Sequence, residues 1–414
     1  MAIRRILITG DIFRPTGSFD SSQKLNIRWL AGLVQAQIGI ASGLEISSLL
    51  VEDVSSSLTA LYSAANLSPS LDTWAQIYER LPDAMADRLR PHFAGALVVG
   101  FELPPGLRRL LDEIGTPYID IVLHPVRYMQ DLLLGFASNS DEIQTVLDGF
   151  SMSEGQARLE TAPIRAFAGR SQHPELSHGT LLFIGQMSED RSMISNGRFL
   201  RPKEYMRSLI QKLEIMSETR TIAVKLHPME RNQTVLRELR RLGFEVLETS
   251  VSTYTLLASD RISSVFSVSS SVCEEARLFD KSADYGLGPS TPVRYRETLR
   301  TGIGHVSIYN HYMSTDFWRK CLASHLEVTE FDGFPPVSAP NLLRSTLRCY
   351  WGYEDFAFEG GQRLGAKWAG TGSTRGTLAT IGMLEQPVAQ LGQALRKQLR
   401  KSETLRSVWH RLKR

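Results

Sequence analysis

Three stretches in the second half of the chain place ionisable and hydrogen-bonding side chains just after apolar runs. The first, LLFIGQMSEDRS at 181–192, has four apolar residues and a glycine, then Gln186, Asp190, Arg191 and Ser192. The second, IAVKLHPME at 222–230, carries Lys225, His227 and Pro228. The third, SSVFSVSSSVCEEARLFDK at 263–281, carries Ser267, Ser269, Ser270, Ser271 and then Glu275. A carboxylate beside cations suits nucleophilic or acid–base work. Small hydroxyl residues where a strand turns into a helix suit a phosphate. Glu275, about one turn into that helix, suits the two hydroxyls of a ribose. Each residue also has an ordinary structural reading. Asp190 is a turn or capping residue, the serines cap a helix, His227-Pro228 ends a strand, and Lys225 is a solvated cation.

These residues need strands that end at one edge and helices that return the chain. Four apolar residues before a glycine read as a buried parallel strand, and open α/β sheets bind ligands at its carboxyl end. The second half supplies strands at 180–184, 221–226, 245–247 and 262–266, alternating with helices at 203–217, 232–241, 251–258 and 271–279. The first half has the same rhythm. A strand at 3–9 opens into Gly10–Pro15, a helix follows at 23–37, and further strands lie at 44–50, 96–100 and 117–122. Helices are expected at 54–65, 71–80 and 106–114, and polar helices up to about 167. The expected fold is therefore α/β: two doubly wound Rossmann-like domains facing across a cleft, a GT-B-like arrangement whose outline periplasmic-binding-like proteins and two-domain dehydrogenases share. The domains are residues 1–167 and 180–335, joined by a polar linker at 168–179; helices and an irregular segment follow at 336–384, then a basic amphipathic tail at 385–414.

The totals narrow the class. At 414 residues, 42% hydrophobic and 22% charged, the chain has the usage of a globular protein with two domains. No apolar run reaches the ~18–20 residues that span a bilayer. The opening MAIRRILITGDIF is interrupted by Asp11 and reads as a strand rather than a signal peptide, so the cytoplasm is expected. Cys273, Cys321 and Cys349, odd in number and far apart, fit reduced thiols. Net charge is +3, but residues 393–414 alone carry +7 and the rest −4. That profile excludes a nucleic-acid-binding body and leaves one basic end, which with Trp409 and its leucines suits an anionic membrane surface.

The three stretches together resemble the bacterial β-Kdo glycosyltransferases of capsule and lipopolysaccharide biosynthesis. These move Kdo, an acidic sugar, from CMP-Kdo to a glycolipid-linked acceptor. The resemblance rests on Gln186-x-x-x-Asp190, on Lys225-Leu226-His227-Pro228, and on Ser269–Ser271 leading to Glu275-Ala276 and Lys281. It covers about 180–282; the first half matches in layout only, with Glu102 after a strand. Cys273-Glu274 departs from the family pattern, and the segment after Gly286 does not align. The resemblance implies a retaining transfer by double displacement. Asp190 attacks the anomeric carbon, His227 assists the CMP phosphate, and Glu102 deprotonates the acceptor. Gln186, Arg191, Ser192, Lys225, Ser269, Ser270, Ser271 and Glu275 bind substrate. It implies no metal or other cofactor, a lipid-linked glycan partner, and a place in the cytoplasm or peripherally at the inner membrane. The alternatives weighed against it are a transferase for another nucleotide sugar, CMP-sialic-acid-like or UDP-linked, and a non-catalytic nucleotide-sugar-binding scaffold.

Overall fold

The apolar runs become the strands of two α/β sheets. The structure, a computed structural model, describes residues 3–16, 21, 23–129, 131–168, 176–217, 219–227, 233–249, 251–289 and 291–329. Pro228, Cys349, most of the expected linker and everything expected beyond residue 329, including the basic tail, lie outside the described residues.

The first half runs β1 (Arg5–Gly10), α1 (Lys24–Ser42), β2 (Ile46–Ser48), α2 (Val51–Val54), α3 (Leu58–Ser63), α4 (Leu71–Tyr78), α5 (Asp83–Phe93), β3 (Ala96–Phe101), α6 (Pro105–Glu113), β4 (Tyr118–Leu123), β5 (Leu134–Ser138), α7 (Asp141–Gly149) and α8 (Glu154–Ala168). The second runs β6 (Thr180–Ile184), β7 (Ile194–Ser195), β8 (Arg198–Phe199), α9 (Pro202–Met216), β9 (Thr221–Lys225), α10 (Thr234–Arg241), β10 (Glu245–Glu248), α11 (Thr253–Ala258), β11 (Ile262–Ser267), α12 (Val272–Leu278), β12 (Ser282–Tyr285), β13 (Val293–Arg294), β14 (His305–Ile308) and α13 (Thr315–Leu322).

The second sheet is wholly parallel, in the order β10-β9-β6-β11-β12. Its central strands β6, β9 and β11 are almost wholly buried, with Phe183 stacked on Phe266 at 6.3 Å, which explains their apolar runs. The strand order reverses between β6 and β11. The first sheet has the order β13-β14-β5-β4-β3-β1-β2 and reverses between β1 and β3. Here α1 lays Trp29 edge-on against Phe101, centroids 5.9 Å apart, and ends where Gly43 turns left-handed at φ +64°.

Strand β12 and the β7–β8 pair were not expected from the sequence, and three further features depart from it. Where polar helices were expected, β5 runs antiparallel to both neighbours. Its LGFAS has little strand propensity and gains its place from pairing on both sides. Helix α5 was not expected at all; Pro91 sits inside it. Finally, β13 and β14, within the segment assigned to the second domain, return to the first sheet and pair beyond β5.

Candidate active site

Strand reversals in open α/β sheets leave a crevice at the carboxyl ends. At the reversal of the second sheet, Gln186 follows β6 and Ser269 follows β11. The Gln186 side chain joins them: its Oε1 accepts from the Ser269 N–H at 2.7 Å, and its Nε2 donates to Ser269 Oγ at 2.6 Å and Ser192 Oγ at 3.1 Å. Ser269 and Ser192 hydroxyls are 2.9 Å apart. Between Gln186 and Ser192 the chain makes a tight turn in which Asp190 caps a single 3-10 turn, Arg191–Met193, accepting from the Ser192 N–H at 2.9 Å. The cap aims Arg191 away from its own sheet.

At the reversal of the first sheet, Asp11 follows β1 and Glu102 follows β3. Asp11 is buried. Its Oδ1 accepts from the N–H groups of Phe13 (3.0 Å) and Arg14 (3.2 Å), and its Oδ2 from Trp74 Nε1 (3.0 Å). Burial outweighs these bonds and pushes its carboxyl up to about 6. Arg14 lies over the Trp74 ring at 4.8 Å and donates to the Glu189 carbonyl at 3.3 Å, reaching the loop that carries Asp190. Glu102 has left-handed backbone, φ +53°. β4 holds it there: the Glu102 N–H donates to Ile121 O at 2.8 Å, and the next N–H, of Leu103, to Asp120 Oδ1 at 2.9 Å.

Arg191 bridges the two crevices. Its Nη2 lies 3.1 Å from both Glu102 Oε1 and Thr291 Oγ1. Burial disfavours its charge, but Glu102, Tyr78 and Asp190 outweigh that and hold the guanidinium above its ordinary value. The cleft around this pair has a volume of about 310 Å³ and is lined by Tyr78, Glu102, Arg108, Asp120, Arg191 and His305, among others. That is enough for a sugar. Inside it, His305 Nε2 is 3.0 Å from Asp120 Oδ2, with Arg108 3.7 Å from the same oxygen. Asp120 is 1% exposed. The sequence offered one signal for Asp120, a carboxylate inside the apolar strand YIDIVL; His305 had none, because its partner is two strands away in the sheet.

The other expected residues are placed as follows. Lys225 and His227 lie at the carboxyl end of β9. Lys225 donates to Val251 O at 2.8 Å, and its half-burial lowers its pKa. The serine turn is engaged within the chain: besides Ser269, the Ser270 N–H donates to Ser267 Oγ at 3.1 Å and the Val272 N–H to Ser270 Oγ at 3.4 Å. Ser271 stands at the N-cap of α12. Glu275, 2% exposed, faces the first sheet: its Oε1 accepts from the Arg127 N–H at 2.8 Å and the Tyr254 hydroxyl at 3.2 Å. Glu275 thus ties the sheets together rather than standing open to a ribose. A hollow of about 690 Å³ lies at the opposite edge of the first sheet, by Ala96, Pro117 and His325. Polar groups there pair with each other, Asn139 with Asp112 and His325 with Ser140.

No protein-family model and no curated protein matches the chain. Among solved structures, a Thermosulfurimonas dismutans chain titled KpsC, beta Kdo 2,7 transferase is similar at 11% identity and TM-score 0.34, over 67% of this chain and 77% of that one. A second from that organism, KpsC, beta Kdo 2,4 transferase, is similar at 17% identity and TM-score 0.27, over 45% and 67%. Likeness at that level fixes neither a site nor a substrate; the chemistry must come from the residues themselves. Among the described residues no helix is long and apolar enough to cross a membrane.

Proposed function

We propose that the protein is a glycosyltransferase that moves β-Kdo from CMP-Kdo to a surface-polysaccharide or glycolipid acceptor. The observation that carries this reading is the Arg191–Glu102 pair, which sets a guanidinium at the junction of two ligand-binding sheet edges, one residue from a carboxylate. An acidic sugar needs such a cation, and arginine meets a carboxylate with two parallel donors. The nucleotide would lie along the carboxyl edge of the second sheet, by Lys225, His227 and the serine turn, with the sugar reaching Arg191. Asp190 would then attack the anomeric carbon, and the bond to the CMP phosphate would break with its electron pair leaving on the phosphate. The Glu102 carboxylate already accepts from Arg191. In this reading Glu102 therefore orients Arg191, and the group that deprotonates the acceptor lies elsewhere in the cleft.

The test is intact-protein mass spectrometry after incubation with CMP-Kdo, wild type beside Asp190→Asn. The expected result is a gain of one Kdo on the wild type and none on the variant, with CMP release by the variant down roughly 10³-fold or more. CMP release without an adduct on the wild type would remove Asp190 from its role. No CMP release would remove the donor and direct the search to other nucleotide sugars.

A further inference from the structure

We infer that His305, held by Asp120, is the base that takes the proton from the attacking hydroxyl; this rests on the glycosyl-transfer reading. On the cleft face of the first sheet, β5 lies between β4 and β14, and pairing puts Asp120 opposite Ala137 and Ser307 opposite Gly135. Side chains two apart share a face. Asp120 and His305 are therefore two strand spacings apart, separated only by the smallest residues, Ala137 and Gly135. There is no room for more. A Cβ added at Gly135 would sit 2.7 Å from Val122 Cγ2 and 2.9 Å from His305 Cβ. Over this low saddle the imidazole reaches across to Asp120.

The hydrogen bonds fix the tautomer. A carboxylate that accepts from the Leu103 N–H on one oxygen and has Arg108 beside the other accepts from His305 as well. Nε2 therefore carries a proton, and in the neutral ring Nδ1 is the nitrogen with the lone pair. Nδ1 is buried and has no hydrogen-bond partner among the described residues. An unsatisfied buried acceptor is costly, and a donor entering the cleft would satisfy it. A substrate hydroxyl is such a donor. As its oxygen bonds to the anomeric carbon, its proton passes to Nδ1, and the bond from that carbon to Asp190 breaks with the electron pair returning to the carboxylate. Asp120 stabilises the imidazolium without taking the proton. The proton then leaves to solvent as product departs. Asp120 and Gly135 are positioning residues.

The experiment uses the full chain with CMP-Kdo and water as the accepting hydroxyl. In His305→Gln the burst of CMP, about one per enzyme, persists, while the steady-state rate falls roughly 10²–10⁴-fold and the Kdo adduct accumulates. Gly135→Ala, which leaves the ring intact but pushes it off Asp120, shows the same split; melting curves confirm that it is folded. Equal loss of burst and steady state, or an unchanged steady-state rate, would overturn the assignment. Nitrogen-15 spectra of histidine-labelled protein, assigned by comparison with His305→Gln, give the second readout. The expected state is Nε2–H with Nδ1 unprotonated, and a proton on Nδ1 would overturn the inference. If the wild type releases no CMP, the donor falls and the tautomer alone decides: Nε2–H keeps the base for another hydroxyl-bearing substrate, and Nδ1–H removes it.

Discussion

Glu102 holds a backbone conformation that costs an ordinary residue on the order of 1 kcal/mol, and glycine would hold it freely. Its side chain is 15% exposed and paired with Arg191. A carboxylate kept at a strained position is kept for what its side chain does. Glu102→Gly and Glu102→Ala both lose the ion pair and differ only in backbone. Glycine is expected to be the more stable variant by about 1 kcal/mol, read from urea midpoints, with both losing sugar transfer. Residues of this kind were unevenly legible. Gln186 and Ser269 could be found because each follows an apolar run directly. The serine turn reads as an anion site, yet the Ser270 N–H serves Ser267 locally and the Ser269 N–H serves Gln186 from the neighbouring strand end. Glu275 stands out in the sequence by its distance into α12; the Arg127 N–H from which it accepts comes from the other half of the chain.

Helix α4 and the loop after β1 act as one clamp. Trp74 donates to Asp11, carries Arg14 on its face and tilts against Phe199 of β8 at 6.0 Å. The buried Asp11 gives this clamp a pH dependence. Its folded pKa, about 6, lies above the ordinary 3.8, so the folded state favours the proton. Its stabilising contribution is complete below about pH 4 and is lost as pH rises through about 6, in total about 3 kcal/mol. Relative to Asp11→Asn, the wild type is expected to lose stability between pH 4.5 and 7, measured as denaturation midpoints of both proteins across that window. The variant has its own cost at all pH values, an amide set against the Trp74 N–H. Elements with one-sided signals were legible: the buried parallel strands β1, β3, β4, β6, β9 and β11 by their apolar runs, α1 and α6 by helical spacing. Strand β5 was not, because glycine and alanine give it no strand character, and the small residues that hid it are those that admit His305 to Asp120.

The two sheets meet through polar groups as well as apolar ones. Glu275 accepts from the Arg127 N–H, Arg191 pairs with Glu102, and Arg158 of α8 reaches Asp280 at 2.7 Å. Glu275→Gln retains an acceptor for the Arg127 N–H, whereas Glu275→Ala removes the side-chain acceptor of that N–H. Alanine is expected to cost about 1–3 kcal/mol more than glutamine, seen as a lower thermal midpoint. The overall plan of alternating strands and helices was legible at this scale. The return of β13 and β14 to the first sheet was not, because short strands separated by Pro and Gly carry no mark of which sheet they join.

That return has a consequence during synthesis. Asp120 and His305 are 185 residues apart. At ribosomal rates of 5–20 residues per second, roughly 10–40 s separate them. For most of that interval β5 is an open edge bearing Leu134 and Phe136, the kind of strand that pairs with a neighbouring nascent chain. The second sheet, wholly local in sequence, can close before the first is complete. The first sheet therefore gains its last strands only after the second has been made, and a nascent chain halted before residue 305 would leave β5 unpaired on one side.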